Sequence, residues 1–171
     1  MNLDLSLGQL LGFVSFALGV STFYQKDDRK LKVLMLIFNI NHLVHYILLG
    51  SIMSALAALL SAIRTGTSIY TSSKKVAAFF VVLGLGLGLY LAEEWWTLFP
   101  IVGTMIGTLA VFAFQGIQMR LCFIVGACCW LINNIIIGSY GGVMLEVSVL
   151  TMNIITIYRL VKIKNKNVAV Y

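Results

Sequence analysis

His42 and His45 stand three positions apart in a run that also carries Asn39, Asn41 and Tyr46, all within an otherwise apolar stretch. Asn39, His42 and Tyr46 follow the i, i+3, i+7 spacing of one helical face, and His45 sits beside it. An imidazole titrates near neutrality, so the pair has the chemistry of a proton carrier. It has that of a metal ligand too, but a metal needs further donors, and the soft candidates Cys122, Cys128 and Cys129 form no dedicated metal motif with it. No metal or other cofactor is therefore expected. A histidine satisfied by its own neighbours is the third reading, and the sequence leaves it open.

Trp130, Asn133 and Asn134 form a second polar group in a later apolar run, and Glu146 and Asn153 stand in the next. Polar groups in lipid are costly without partners, so these should face the interior of a bundle. Asn41, His42, His45, Tyr46, Trp130, Asn133, Asn134, Glu146 and Asn153 make up the candidate substrate site. Their amides and imidazoles suit a small polar solute, with Tyr46 or Trp130 as a stacking wall, and the weak net charge of the group is compatible with a neutral or zwitterionic molecule. Hydrogen bonding between helices is the competing account for the same residues. Arg64 either faces the same cavity or snorkels to lipid phosphate. Thr65, Ser68 and Thr156 either extend the path or bond local carbonyls. There is no Ser-His-Asp order, no paired in-membrane carboxylate and no HExxH motif, so no enzyme is expected.

The elements that must position these groups are apolar. The chain has 171 residues, of which 60% are hydrophobic and 11% charged, and its mean hydropathy is +0.98. A soluble domain carries about 25% charged residues. Seven apolar stretches are read as spans: Leu7 to Tyr24, Val33 to Leu49, Ser51 to Tyr70, Val76 to Ala92, Leu98 to Gln115, Leu121 to Gly138 and Gly141 to Arg159. Each approaches the roughly 20 residues that cross a bilayer. The connections are short, leaving no room for a soluble domain.

The net charge of +6 is placed in a way that excludes nucleic acid as the reason for it. Lys26, Arg29, Lys30 and Lys32, then Lys74 and Lys75, then Arg120, then Arg159, Lys162, Lys164 and Lys166 fall on one side if seven spans alternate. The positive-inside rule makes that side cytoplasmic. Asp4, Gly50, Glu93, Glu94 and the Ser139 to Gly142 turn take the other, giving an outer N-terminus and a cytoplasmic C-terminus. The partners expected are membrane lipids, with basic side chains against anionic headgroups. The first span has Asp4 before it and the basic cluster after it, opposite to a secretory signal, so it is expected to stay in the mature chain. The cysteines read as small apolar packing residues.

The two halves resemble each other. Ile47-Leu48-Leu49-Gly50-Ser51 aligns with Ile135-Ile136-Ile137-Gly138-Ser139. The same register pairs Lys32 with Arg120, His42 with Trp130, His45 with Asn133, Tyr46 with Asn134, Thr65 with Asn153 and Tyr70 with Tyr158, and Gly12 corresponds to Gly107 after an offset. The fold expected is an all-α polytopic membrane protein of seven transmembrane helices in one membrane domain, 1–171. Two parallel three-helix repeats, 7–70 and 98–160, are joined by a central helix over 76–92. Gly84, Gly86 and Gly88 suit that helix to close approach, and Trp95 and Trp96 to an interfacial anchor.

The basic loop after the first span and the His-containing second span, Asn41-His42-Leu43-Val44-His45-Tyr46 through Gly50, resemble the YgjV-like bacterial inner-membrane proteins over about Gly8 to Arg159. That group is similar in plan to the wider superfamily of SWEET, PQ-loop and PnuC-type transporters. The resemblance implies a bacterial inner-membrane location and a three-plus-one-plus-three helix plan. The chain departs from SWEET triplets: its one proline is Pro100, and it has no Pro-Gln pair. The function expected is transport of a small polar or zwitterionic solute. The alternative is a membrane interaction or sensor subunit that transports nothing. Exposed Gly and Ala faces would also permit a homodimer.

Overall fold

A computed structural model of the chain describes residues 6–23, 28–71, 73–114 and 116–168. Among these lie seven α-helices: α1 (Leu7–Phe23), α2 (Asp28–Leu48), α3 (Ile52–Ser68), α4 (Lys74–Leu91), α5 (Phe99–Ala113), α6 (Gly116–Ile136) and α7 (Tyr140–Val168). A single 3-10 turn, Trp95–Leu98, precedes α5. The one proline falls in the first turn of α5, where a missing N–H costs nothing because no carbonyl awaits it. Ser73 caps α4 by accepting from the Lys75 amide at 3.3 Å.

Two tight turns have the same geometry. After α2, Gly50 has φ 72°, and the Ser51 amide donates back to the Tyr46 carbonyl at 3.0 Å. After α6, Gly138 has φ 69°, and the Ser139 amide donates to the Asn134 carbonyl at 2.8 Å. Glycine takes this left-handed conformation without the penalty a Cβ would bring, which ends each helix and reverses the chain at once.

The expectation of seven transmembrane helices is corrected. Among the described residues, only α4, α6 and Tyr140–Lys162 of α7 are long and apolar enough, by length and composition, to cross a membrane. The shorter apolar helices are Leu7–Thr22, Lys32–Leu48, Ile52–Ser68 and Trp95–Ala110. The physical reason is length. Seventeen residues, as in α1 and α3, rise about 26 Å, short of about 30 Å of hydrocarbon. Helix α2 has 21 residues, but its first turn is Asp28-Arg29-Lys30, which belongs in water. The 3+1+3 plan and the outer N-terminus rested on seven alternating spans and go with that count. Asp4, Tyr24, Gln25, Lys26 and Gln115 lie outside the described residues, as do the side chains of Lys164 and Lys166.

Helix α2 packs between α1 and α3, α6 packs between α5 and α7, α1 lies along α7, and α3 lies along α5. Helix α4 covers α5 and part of α3. Two ends of the bundle follow from the bonds between helices. Lys32 Nζ donates to the Ser68 carbonyl at 2.5 Å and Arg120 Nη1 to Asn153 Oδ1 at 3.4 Å. The start of α2, the end of α3, the start of α6 and the later part of α7 therefore share a basic end. The turns at Gly50 and Gly138 lie at the opposite end. The apolar core is Met53, Ala57 and Leu60 of α3 against Ile101 and Met105 of α5, with Trp130 packed on it. Gly84 and Gly88 bring α4 close to α5, because a Cβ on either would meet Met105 Cε at 2.5 Å or Ile101 Cγ2 at 2.8 Å. A Cβ on Gly86 would meet nothing within 4 Å.

Candidate functional site

Every fourth residue of α2 from Phe38 carries a ring, and the rings form a column. Phe38 and His42 have centroids 4.5 Å apart, and His42 and Tyr46 4.9 Å. Trp130 of α6 stacks on Tyr46 at 5.5 Å and 19°. The helical repeat places these side chains one above another, and Phe38, His42 and Trp130 form one wall of a cavity of about 210 Å³.

Polar groups reach this cavity from six helices: Thr22 of α1, Asn39 and His42 of α2, Ser61 and Arg64 of α3, Thr104 of α5, Trp130 of α6, and Glu146 and Asn153 of α7. Several are already engaged. Asn39 Nδ2 donates to Thr65 Oγ1 at 3.2 Å, Thr22 donates to the Leu18 carbonyl at 2.9 Å, and Asn153 Nδ2 donates to the Val149 carbonyl at 2.8 Å. Arg64 Nη1 donates to Thr108 Oγ1 at 2.9 Å, and Thr108 passes its own proton to the Thr104 carbonyl at 2.8 Å.

Others are not engaged. His42 Nε2 and Thr104 Oγ1 are buried without a hydrogen-bond partner among the described residues. Glu146 is 8% exposed and has no hydrogen bond or ion pair there either. A buried polar atom left unpaired costs about 1–3 kcal/mol, and more when charged. Where such atoms line a cavity, a ligand can supply what the fold withholds; the side-chain Nδ2 atoms of Asn133 and Asn134, outside the lining, are also buried without a partner among the described residues.

Between this cavity and the Gly50–Gly138 end the helices are sewn together. His45 is fully buried. Its Nδ1 lies 2.6 Å from the Gly8 carbonyl and its Nε2 2.7 Å from Ser139 Oγ. A carbonyl only accepts, so Nδ1 carries a proton, and in the neutral ring Nε2 receives the Ser139 hydroxyl. Ser139 Oγ in turn accepts from the Gly142 amide at 3.2 Å, which closes the chain of bonds with a neutral imidazole. Gln9 joins α1 to the same turn, donating to the Gly138 carbonyl at 2.6 Å and accepting from the Tyr140 amide at 3.2 Å. Gly12 and Gly141 let the α1 and α7 backbones touch there. On the other side of α2, Tyr46 donates to Asn134 Oδ1 at 2.8 Å and Ser54 to Asn133 Oδ1 at 3.1 Å. Asn41 Nδ2 ties α2 to α1 through the Leu11 carbonyl at 2.8 Å and Ser15 Oγ at 2.7 Å.

The nine residues singled out from the sequence thus divide in two. His42, Trp130, Glu146 and Asn153 line the cavity. Asn41, His45, Tyr46, Asn133 and Asn134 are not in its lining; their side-chain bonds run from helix to helix or into the Gly138 turn. Asn133 borders a separate hollow beside Ser51, Glu93 and Trp96. Sequence reasoning missed Thr22, Ser61 and Thr104, and left Arg64 between cavity and lipid. One signal was legible: Thr104 and Thr108 stand four apart in an otherwise apolar helix, hence on one face. Among the described residues no three His, Cys, Asp or Glu side chains gather as a metal site.

The outward faces are apolar, with Val82 72% and Leu89 69% exposed on α4 and Ile135 61% exposed on α6, as lipid contact requires. Comparison with known proteins agrees with this character. Residues 6–164 match the family model Imp-YgjV, described as a bacterial inner membrane protein. The chain is 36% identical over 162 residues to Inner membrane protein YgjV of Escherichia coli strain K12, a match covering 95% of this chain and 88% of that one. No solved structure matches. Its match along nearly the whole chain establishes it as a member of the YgjV family, a multi-pass protein of the bacterial inner membrane.

Proposed function

We propose that this protein carries a small polar or zwitterionic solute across the inner membrane, by exposing the cavity beside His42, Trp130 and Glu146 first to one side and then to the other. The observation that carries the reading is a polar-lined cavity next to a layer of helices joined by side-chain bonds. His42 Nε2 and Thr104 Oγ1 stand unpartnered around the cavity, and the layer beyond it, although Asn133 and Asn134 each leave an Nδ2 unpartnered there, is joined by direct bonds between helices. A closed layer over a lined cavity is what one access state of a carrier requires, and the bonds of that layer are those that must break for the other state to form. The volume of about 210 Å³ lies below the roughly 300–1,000 Å³ of sites for drug-sized ligands, so the solute is small. The reading gives the chain no bond-breaking chemistry.

The test is thermal unfolding of the detergent-purified protein with a panel of sugars, nucleosides, vitamins and amino acids. A ligand of the folded state raises the unfolding temperature by mass action, by about 2.7 kcal/mol of stability at a hundred times its Kd. Stabilisation by one chemical class, lost on His42→Ala, is the expected result. If the folded protein responds to none of them, the cavity is not a solute site and a partner-binding role takes its place.

A further inference from the structure

Arg64 and Glu146 are the two formally charged side chains in the lining of the cavity. They have opposite signs, yet no ion pair joins them among the described residues. Arg64 spends one hydrogen bond, on the neutral Thr108 hydroxyl, of the five N–H donors a guanidinium offers. Glu146 spends none. Burying either charge costs several kcal/mol unless an opposite charge and hydrogen bonds compensate it. Two such groups on different helices, each with unspent capacity, ask for a molecule that brings both signs.

We propose that the cavity is a zwitterion site, holding the anionic group of the solute on Arg64 with the Thr104 hydroxyl, and its cationic group on the Glu146 carboxylate. This deepens the carrier reading and rests on it. The assignment follows from the lining: with Glu146 ionised against a cationic group, charges of +1 and −1 sum to zero, so a net anion or cation leaves one protein charge uncompensated. An uncharged polyol leaves both. A planar guanidinium fork suits a carboxylate in particular. His42 Nε2, which has no partner of its own, is a further polar contact, and the rings of Phe38 and Trp130 give a short apolar body something to pack on. Small amino acids, which place a carboxylate and an ammonium on one short skeleton, are the chemical class that fits. Because the ligand ties α3 and α5 to α7, its binding also draws together helices that a change of access must move.

The experiment dissects the ligand's charge. Unfolding temperature and Kd are measured on the full-length protein with L-alanine, L-serine and L-leucine, their amides, which keep only the cation, and their N-acetyl derivatives, which keep only the anion. Glycerol and ribose serve as uncharged probes. Stabilisation by the free amino acids alone is expected. Glu146→Gln should weaken the best of them by about 30-fold or more, the loss that follows removal of one partner of a buried charge pair, and should narrow its advantage over the N-acetyl form. Arg64→Gln should do the same relative to the amide, and Arg64→Lys should restore part of the binding, which an unfolded variant would not. Two outcomes overturn the zwitterion assignment while leaving a solute site standing: ribose or glycerol stabilises the protein as well as any amino acid does, or both variants bind as wild type does. If the same protein, shown folded by circular dichroism, answers to no probe, the carrier reading fails with it. The headgroup of phosphatidylethanolamine carries the same two charges, so the measurement is repeated in phosphatidylcholine nanodiscs with and without that lipid. Stabilisation by free amino acid in both is expected, and stabilisation by the lipid alone overturns the soluble-solute assignment.

Discussion

Replacing Gly141 by alanine should force α1 and α7 apart. A Cβ at that position would lie 2.1 Å from the Gly12 carbonyl carbon, 2.2 Å from its oxygen and 2.6 Å from the Phe13 nitrogen. Ordinary contact begins at 3.4 Å, so about 1.3 Å of separation must be found. The atoms met are backbone, so no change of rotamer relieves the clash. Overpacking of a well-filled site costs about 1–3 kcal/mol. Here the separation also pulls on the bonds from Gln9 to Gly138 and from His45 to Ser139, so a loss of about 3 kcal/mol is expected, at the top of that range. Gly86→Ala is the internal control. Nothing lies within 4 Å of its Cβ, and alanine is the better helix former by about 0.8–1 kcal/mol. The assay is unfolding of both variants in one detergent, followed by tryptophan fluorescence. Wild-type stability in Gly141→Ala, or a larger loss in Gly86→Ala than in Gly141→Ala, would refute the close crossing of α1 and α7.

Three further outcomes are expected. Tyr46→Phe leaves Asn134 Oδ1 without its 2.8 Å donor and should cost about 1–3 kcal/mol of stability, with Kd for the solute unchanged in the ligand titration. His45→Ala removes two bonds and a fully buried ring, so its loss should reach about 2–5 kcal/mol. Ser139→Ala removes the His45 and Gly142 contacts but little volume, and in the same denaturation series its loss should be smaller than that of His45→Ala.

The helices were legible in the sequence because apolar runs punctuated by Gly50, Gly138 and the basic loops leave few alternatives. The membrane-spanning count was not. Hydropathy alone treats Val33–Leu49 as a span, whereas α2 begins at Asp28 with charges in its first turn and keeps only Lys32–Leu48 as its apolar part. Periodicity put Asn39, His42 and Tyr46 on one face, but it gives no height along the bundle. Asn39 and His42 meet the cavity, while Tyr46, a turn farther on, meets Asn134. His45 falls out of the cavity because its neighbour on α1 is Gly12, small enough for the imidazole to reach the Gly8 carbonyl. The sequence does not show which threonine of an apolar helix keeps a free hydroxyl, because the usual partner is a carbonyl of its own backbone. Thr108 bonds one, the carbonyl of Thr104, and the Thr104 hydroxyl remains without a partner.

The measurement that bears most directly on the central claim is solute counterflow. Proteoliposomes are loaded with the unlabelled amino acid that stabilises the protein best and diluted into a trace of the same compound carrying a label. The account predicts transient accumulation of label with the wild type and with Tyr46→Phe, and none with Glu146→Gln. Binding that is tight and specific in detergent, with no label entering liposomes that contain folded protein, would contradict it and make the cavity a sensor's site.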